Sequence, residues 1–143
     1  MKAATYLILG LIILGIAVYG YYKSVPGLEN ERAARPQIEI TPQDFNFGQI
    51  QYGQEVNYVF LVKNAGQEVL EIKRLSTSCG CTSAKIAKEQ INPGETTELL
   101  VVYDTGAMSG PHALGQQERI IYIKSSDPIN PQVEVTIHAN VLQ

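Results

Sequence analysis

The only two cysteines of the chain, Cys79 and Cys81, are one residue apart in the run Ser78-Cys79-Gly80-Cys81-Thr82. In an extended segment, residues two apart point to the same face, so both sulfurs would lie together if this run is a strand. Gly80 between them lets the backbone bulge or turn without the steric cost of a Cβ atom. The spacing leaves three uses open for this pair.

The first use is a Cys79–Cys81 disulfide, which closes a very small ring, would be strained and would be easily reduced. The second is a soft-metal site, because two adjacent thiolates suit Cu(I), or Zn(II) when further ligands are present. Met108 and His112, further along the chain, are candidates for such further metal ligands. The third use is structural, with two small apolar side chains at the end of a core strand. A single Cys-x-Cys motif does not decide among the three.

Catalysis would require a nucleophile with a base, and the combination that the sequence offers is Cys79 or Cys81 with His112 or His138. His138 falls at a polar position of a predicted strand and His112 in a predicted loop, which favours solvent-facing roles for both. The sequence contains no phosphate-binding loop, triad motif or paired carboxylates of the glycosidase type. We therefore predict that the chain is not an enzyme and has no cofactor, with copper or zinc at the cysteine pair as the alternative.

The composition limits the class of protein. The chain has 143 residues and a net charge of −3. It has no basic patch, so nucleic acid is not an expected partner. The length allows one domain plus an appendage. Two cysteines do not make a disulfide-stapled scaffold, so a hydrophobic core must stabilise the domain.

The appendage is an apolar N-terminal run. Residues 5–22 contain no charged side chain and are flanked by Lys2 and Lys23. The run is close to the roughly 20 residues with which a helix crosses a bilayer. Tyrosines cluster at its C-terminal end, as in an interfacial aromatic belt. We predict a transmembrane signal-anchor at 5–22 that contacts membrane lipid.

A cleaved signal peptide is the alternative, with Gly15-Ile16-Ala17 as its cleavage site. We favour the uncleaved anchor, because cleavage there would leave a short apolar core. In this interpretation residues 1–4 are a short cytoplasmic head and residues 23–36 are a linker. The remaining chain, 37–143, would lie on the extracytoplasmic side of the cell membrane as part of a single-pass protein.

From Gln37 onward the apolar residues recur with a period of two, which is typical of strands with one buried face. Turn signals such as Asn92-Pro93-Gly94-Glu95 separate the apolar runs roughly every ten residues. Residues 82–90 fit a strand or a helix, and we favour the strand. The pattern predicts an all-β fold, an Ig-like antiparallel β-sandwich of about seven strands preceded by one transmembrane helix. The Cys…Trp…Cys pattern of antibody domains is absent.

Several motifs occur in a fixed order between Ile38 and Val141. They are Asp44-Phe45-Asn46-Phe47-Gly48-Gln49-Ile50, Val62-Lys63-Asn64-Ala65-Gly66, Ser78-Cys79-Gly80-Cys81-Thr82, Ile91-Asn92-Pro93-Gly94-Glu95 and Ser126-Asp127-Pro128-Ile129-Asn130-Pro131. In this order they resemble the bacterial domain-of-unknown-function family fifteen-seventy-three, which is similar to the Hydin-like and major-sperm-protein-like immunoglobulin folds. The resemblance implies an exported or membrane-tethered Ig-like domain and no established reaction. The loop 106–116, with Met108 and His112, is longer than the resemblance implies.

Two functional hypotheses follow. The first is a membrane-tethered, non-catalytic binding or structural module, whose sheet edge or face docks an envelope protein partner; sandwich edges can accept an added strand. The second is a thiol-redox or copper- or zinc-handling protein that uses Cys79-Gly80-Cys81. The sequence has no second Cys-x-Cys motif and no histidine cluster, which favours the binding module.

Overall fold

The computed structural model describes residues 2–24 and 35–143 of a chain that divides into two units, Met1–Ala33 and Ala34–Gln143. In the first unit one helix, α1, covers Lys2–Ser24, so the helix expected over 5–22 is present. Among the described residues, however, no helix is long and apolar enough to cross a membrane. Most of the predicted linker, residues 25–34, lies outside the described part.

The second unit is built from strands. They are β1 (Ile38–Thr41), β2 (Asp44–Gln51), β3 (Glu55–Asn64), β4 (Leu70–Thr77), β5 (Thr82–Ile86), β6 (Gln90–Ile91), β7 (Thr96–Asp104), β8 (Gly115–Ser125) and β9 (Gln132–Leu142). Two short 3-10 helices, Thr105–Ala107 and Pro111–Ala113, occupy much of the predicted loop 106–116. The segment 82–90, which fitted either a strand or a helix, is β5 followed by the start of β6.

The strands form two sheets, ordered β1-β3-β7-β5 and β2-β9-β8-β4-β6. The predicted β-sandwich is therefore confirmed, although the described residues form nine strands rather than about seven. The prediction of a wholly antiparallel arrangement is wrong, because β2 and β9 pair in parallel. The physical reason is that the chain leaves the first sheet after β1, at the cis Thr41-Pro42 peptide, and continues in the second sheet. There β2 runs alongside the last strand in the same direction.

The core lies between the two sheets and is supplied by every second residue of the strands. In β9, Val135, Ile137, Ala139 and Val141 are buried as the alternation predicts. The largest fully buried apolar side chains come from five other strands and from β9: Phe60, Leu70, Ile91, Leu99, Ile121, Ile123 and Ile137. Strict alternation gives each sheet one apolar face, which fixes its register against the other sheet.

The entry to β1 is held by a buried amide. Asn64 is fully buried, and its Oδ1 accepts hydrogen bonds from the backbone N–H groups of Gln37 (3.3 Å) and Gly66 (3.0 Å). Its Nδ2 donates to the carbonyl oxygens of Glu68 (2.7 Å) and Ile91 (2.9 Å). One side chain therefore joins the start of β1, the β3–β4 turn and β6.

A buried carboxylate holds the next residue of β1. Asp127 Oδ2 accepts a hydrogen bond from the backbone N–H of Ile38 (3.0 Å), and its Oδ1 accepts from those of Ile129 (2.8 Å) and Asn130 (3.0 Å). Burial acts to raise the pKa of Asp127, but the backbone donors outweigh it and the pKa lies below the ordinary carboxyl value. The turn chemistry expected from Asp127-Pro128 thus also fastens β1 to the β8–β9 turn.

Candidate functional site

Cys79 and Cys81 lie in the connection between β4 and β5, and their sulfurs are joined in a disulfide. This is the first of the three uses that the spacing left open. Cys79 is half-buried, whereas Cys81 is only 4% exposed and belongs to the core. The neighbouring Ser78 fixes the connection to β8, because its N–H donates to the carbonyl of Ile120 (2.9 Å) and its Oγ accepts from the N–H of Ile120 (3.0 Å).

Two neutral polar groups, a backbone N–H and a threonine hydroxyl, contact the sulfurs. The N–H of Cys81 donates to Cys79 Sγ (3.2 Å), and Thr82 Oγ1 lies 3.5 Å from Cys79 Sγ and 3.7 Å from Cys81 Sγ. The hydroxyl of Thr77 is within hydrogen-bonding distance of the carbonyl oxygens of Cys79 (2.9 Å) and Thr82 (3.0 Å). The local backbone is thus tied down on both sides of the disulfide.

Arg119, on β8, brings a positive charge to the pair. Its Nε donates to Cys81 Sγ at 3.2 Å, and its guanidinium carbon lies 5.5 Å from the centroid of the Tyr103 ring. Burial raises the pKa of Tyr103, while the nearby guanidinium acts in the opposite direction. Within the part of the chain that the structure describes, Arg119 forms no ion pair with a carboxylate. Its charge therefore meets a sulfur and an aromatic face without a carboxylate among the described residues to neutralise it.

Met108 also reaches this cluster, through Arg119. Arg119 Nη2 donates to Met108 Sδ (3.1 Å) and to Gln117 Oε1, and Nη1 donates to the carbonyl of Glu118 (2.7 Å). Met108 is therefore brought near the cysteines, but the guanidinium lies between its sulfur and Cys81. Sequence reasoning found the cysteines and Met108 and missed Arg119, Tyr103 and Thr82.

The two histidines do not join the pair. His112 is exposed in a short 3-10 helix, and His138 is half-buried with Nδ1 3.8 Å from Glu118 Oε2. No group of three or more His, Cys, Asp or Glu side chains in the described ranges is placed to hold a metal ion. The copper or zinc site suggested for Cys79 and Cys81, with Met108 and His112, stays a prediction.

A second candidate site is a sheet edge. Four strands lie at edges, namely β1, β5, β2 and β6. In β1 the N–H of Ile38 is occupied by Asp127. In β2 the register shifts between Asn46 and Gln49, and the intervening Gly48 donates its N–H to Asn46 Oδ1. Bulges and caps of this kind protect edges against pairing, and β6 has only two residues.

The remaining edge, β5, is regular. The carbonyl of Cys81 accepts from the N–H of Asp104 (2.9 Å), and the N–H of Ala87 donates to the carbonyl of Glu98 (2.9 Å). Alternation in an antiparallel pair then turns the main-chain groups of Ala84 and Ile86 away from β7. Those groups have no hydrogen-bond partner among the residues that the structure describes.

A depression of about 340 Å³ lies beside this edge. It is lined by Lys85, Ile86, Ala87, Glu98 and Leu100. Leu100 is 37% exposed, so part of the lining is apolar surface in contact with water. The depression can accept an apolar side chain between one positive and one negative rim residue.

The family model described as a protein of unknown function (DUF1573) matches residues 38–141. A protein of unknown function from Porphyromonas gingivalis W83 is 22% identical with a TM-score of 0.67, over 82% of this chain and 51% of that one. This chain therefore spans about half the length of that protein. No curated protein matches.

Two further solved structures share the fold. The ASH/PapD-like domain 7 of human CEP192 is 8% identical with a TM-score of 0.59, over 77% of this chain and 88% of that one. The YadV chaperone is 13% identical with a TM-score of 0.53, over 74% of this chain and 52% of that one. At these identities the likeness concerns the fold alone.

Proposed function

We propose that this chain, which belongs to the family described as protein of unknown function (DUF1573), is a non-catalytic binding module for an envelope protein partner. The partner contributes an extended segment, which pairs with β5 as an added strand. The observation that carries the proposal is the regular edge at Ala84 and Ile86 beside the depression at Leu100.

Strand addition explains what such an edge can recognise. Main-chain hydrogen bonds supply affinity for any extended segment, and a pocket for one side chain supplies selectivity. Ala84 and Ile86 together offer two N–H donors and two carbonyl acceptors. At about 0.5–1.5 kcal/mol for each hydrogen bond and ~1.5–3 kcal/mol for one buried apolar side chain, affinity in about the micromolar range or weaker is expected after the cost of ordering the segment.

We further propose that the apolar run 5–22 holds this domain at the extracytoplasmic face of the cell membrane. The support is the absence of any charged residue in this run. The full chain is expected to stay with the membrane pellet through alkaline carbonate washing, and a Leu11→Lys/Leu14→Lys chain to move to the supernatant, because two charges in the apolar core oppose insertion. Release of the unaltered chain by carbonate would contradict the tether without affecting the strand-addition proposal.

The binding proposal predicts a loss of affinity when β5 can no longer pair. The probe is a peptide library with an apolar residue at every second position, from which binders to the full chain are selected. Ala84→Pro is expected to weaken the binding of the selected peptides at least about tenfold, because it removes an N–H donor at the edge and blocks pairing. The fold should tolerate this proline, since β7 does not use the N–H of Ala84. Dissociation constants by calorimetry check the result.

Leu100→Asp is the second variant, because it places a charge in the depression and leaves the β5 backbone unchanged. The matched control is Leu114→Asp, since Leu114 is equally exposed (37%) and lines a different depression. We expect weaker peptide binding for the first and unchanged binding for the second. Peptides that bind Ala84→Pro as tightly as the unaltered chain would refute pairing at β5.

A further inference from the structure

We propose that the Cys79–Cys81 disulfide is a thiol–disulfide exchange site for dithiols, in which Cys79 is the attacked sulfur and Cys81 leaves as a thiolate that Arg119 stabilises. This inference does not depend on strand addition at β5. It rests on an asymmetry in exposure, an asymmetry in hydrogen bonding and the position of the Arg119 guanidinium.

The two cysteines differ in exposure. Cys79 is half-buried and follows the exposed Ser78, and Gly80 after it is also exposed, with nothing within 4 Å of the position that a Cβ would occupy. Cys81 is only 4% exposed and packs in the core. An incoming thiolate must approach along the axis of the sulfur–sulfur bond, which makes Cys79, the more exposed cysteine, the expected point of attack.

The two sulfurs also differ in their donors. Cys79 Sγ accepts from a neutral backbone N–H, at 3.2 Å, whereas Cys81 Sγ accepts from the charged guanidinium of Arg119, also at 3.2 Å. A hydrogen bond from a charged donor favours the thiolate and lowers the pKa of the thiol. The thiol with the lower pKa is the better leaving group in exchange. Access and charge therefore select the same direction of attack.

The groups packed around Cys81 do not neutralise the positive charge of Arg119. They are Thr82 at the start of β5 and Arg119 from β8, whose guanidinium lies over the Tyr103 ring of β7. Among the residues that the structure describes, no carboxylate pairs with Arg119 to neutralise it. Met108 Sδ and Gln117 Oε1 hold the other side of the guanidinium and so fix its orientation toward Cys81.

The exchange balances in two steps. One thiolate of the dithiol attacks Cys79 Sγ, forming a mixed disulfide, while the electron pair of the Cys79–Cys81 bond leaves on Cys81 Sγ. The second thiolate of the dithiol then attacks the first sulfur of the same dithiol, which is bonded to Cys79 in the mixed disulfide. The bond to Cys79 breaks, and the released Cys79 thiolate takes a proton from water. The protein disulfide is reduced by two electrons and the dithiol is oxidised to a cyclic disulfide.

A purely structural role explains this bond less well. A disulfide stabilises a fold chiefly by closing a loop in the unfolded chain, and the contribution falls as the loop shortens. Cys79 and Cys81 are separated by two positions in sequence, so their loop is very short. The disulfide also lies beside the Arg119 guanidinium, and a structural cross-link does not need a neighbouring positive charge.

The direction of attack can be tested on the unaltered chain. The full chain, kept soluble in mild detergent, is treated with glutathione at pH 8, quenched with acid and alkylated at the remaining thiol. The tryptic peptide 75–85 contains both cysteines, and tandem mass spectrometry locates the glutathione. We expect glutathione on Cys79 and the alkyl group on Cys81. Equal labelling of both cysteines, or a disulfide that neither glutathione nor dithiothreitol opens, would overturn the proposal.

The role of Arg119 is tested by the rate of reduction with dithiothreitol. Arg119→Gln should slow reduction about tenfold, the effect of losing one charged hydrogen bond to the leaving thiolate, and Arg119→Lys should recover much of the rate. In the reduced protein, alkylation against pH should show a raised thiol pKa for Cys81 in Arg119→Gln.

The matched control is Arg74→Gln, which removes the same charge from an exposed position on β4. It should leave both the reduction rate and the Cys81 pKa unchanged. An equal slowing in Arg74→Gln and Arg119→Gln would assign the effect to net charge and refute the role of Arg119. If Arg119→Gln fails to fold, the glutathione mapping on the unaltered chain still decides the direction of attack.

Discussion

Replacing Asn64 with aspartate is expected to destabilise the domain by about 2–5 kcal/mol at neutral pH. The amide donates to the carbonyl oxygens of Glu68 and Ile91, and a carboxylate cannot donate to either. Each carbonyl left unpaired costs about 1–3 kcal/mol, and the new charge would be fully buried next to both oxygens. Urea unfolding of the full chain, followed by tyrosine fluorescence, measures the loss.

The matched control is Asn57→Asp, the same change at an exposed position of the same strand, β3. It should change the free energy of unfolding by less than about 0.5 kcal/mol. The pH dependence adds a second check. Burial should raise the pKa of the introduced carboxyl in the folded chain above its value in the unfolded chain. The loss in free energy of unfolding of the Asn64→Asp variant, relative to the unaltered chain, should therefore shrink as the pH falls through the folded-state pKa. An Asn64→Asp chain as stable as Asn57→Asp would show that the buried amide is not needed.

The fold could be predicted from the sequence because its main signal is the two-residue period of the apolar residues. That period survives in β9, where the predicted inward residues Val133, Val135, Ile137, Ala139 and Val141 contact the core. The parallel pairing of β2 with β9 was not accessible, because it depends on the chain changing sheets at Thr41-Pro42. A residue pattern of period two reports which face is buried and not which neighbour a strand has.

The candidate site was accessible only in part. The cysteine spacing allowed a disulfide, but the role of Arg119 depends on the packing of β8 against the β4–β5 connection. One signal was available in the sequence. In β8 the inward positions are Gln117, Arg119, Ile121 and Ile123, and the alternation therefore places a cation on the buried face. A charged residue on a buried face needs partners, and here they are two sulfurs, two neutral oxygens and an aromatic ring.

The choice of β5 as the docking edge could not be predicted from the sequence. Sequence reasoning predicted an edge or face as the docking surface but could not say which one. The choice depends on hydrogen bonds across long sequence separations, such as that between Ile38 N–H and Asp127. It also depends on the register shift in β2. The first occupies one group of β1 and the second interrupts β2, which leaves β5, with five residues, as the longest edge strand without a register shift.

The second large effect is expected for Gly66→Ala. A Cβ at this position would lie 1.9 Å from the carbonyl oxygen of Arg35 and 2.7 Å from the backbone N of Gln37. Both atoms belong to the main chain that enters β1, so no side-chain rotation can relieve the clash. Separating them would also strain the hydrogen bonds that Gly66 N–H and Gln37 N–H donate to Asn64. We expect a loss of about 2–4 kcal/mol, since overpacking against fixed backbone exceeds the usual cost of about 1–3 kcal/mol.

Gly80→Ala is the matched control, because nothing lies within 4 Å of the Cβ position there and its backbone is outside the left-handed region. An alanine at such a site should be neutral or stabilise by up to about 1 kcal/mol, since it restricts the unfolded chain. Urea unfolding of both variants gives the comparison. Hydrogen exchange at Ile38, whose N–H is held by Asp127, and at Glu39, whose N–H faces β3, should rise in Gly66→Ala alone, because the loss begins at β1. Equal stability of the two alanine variants would mean that the entry to β1 can move aside without cost.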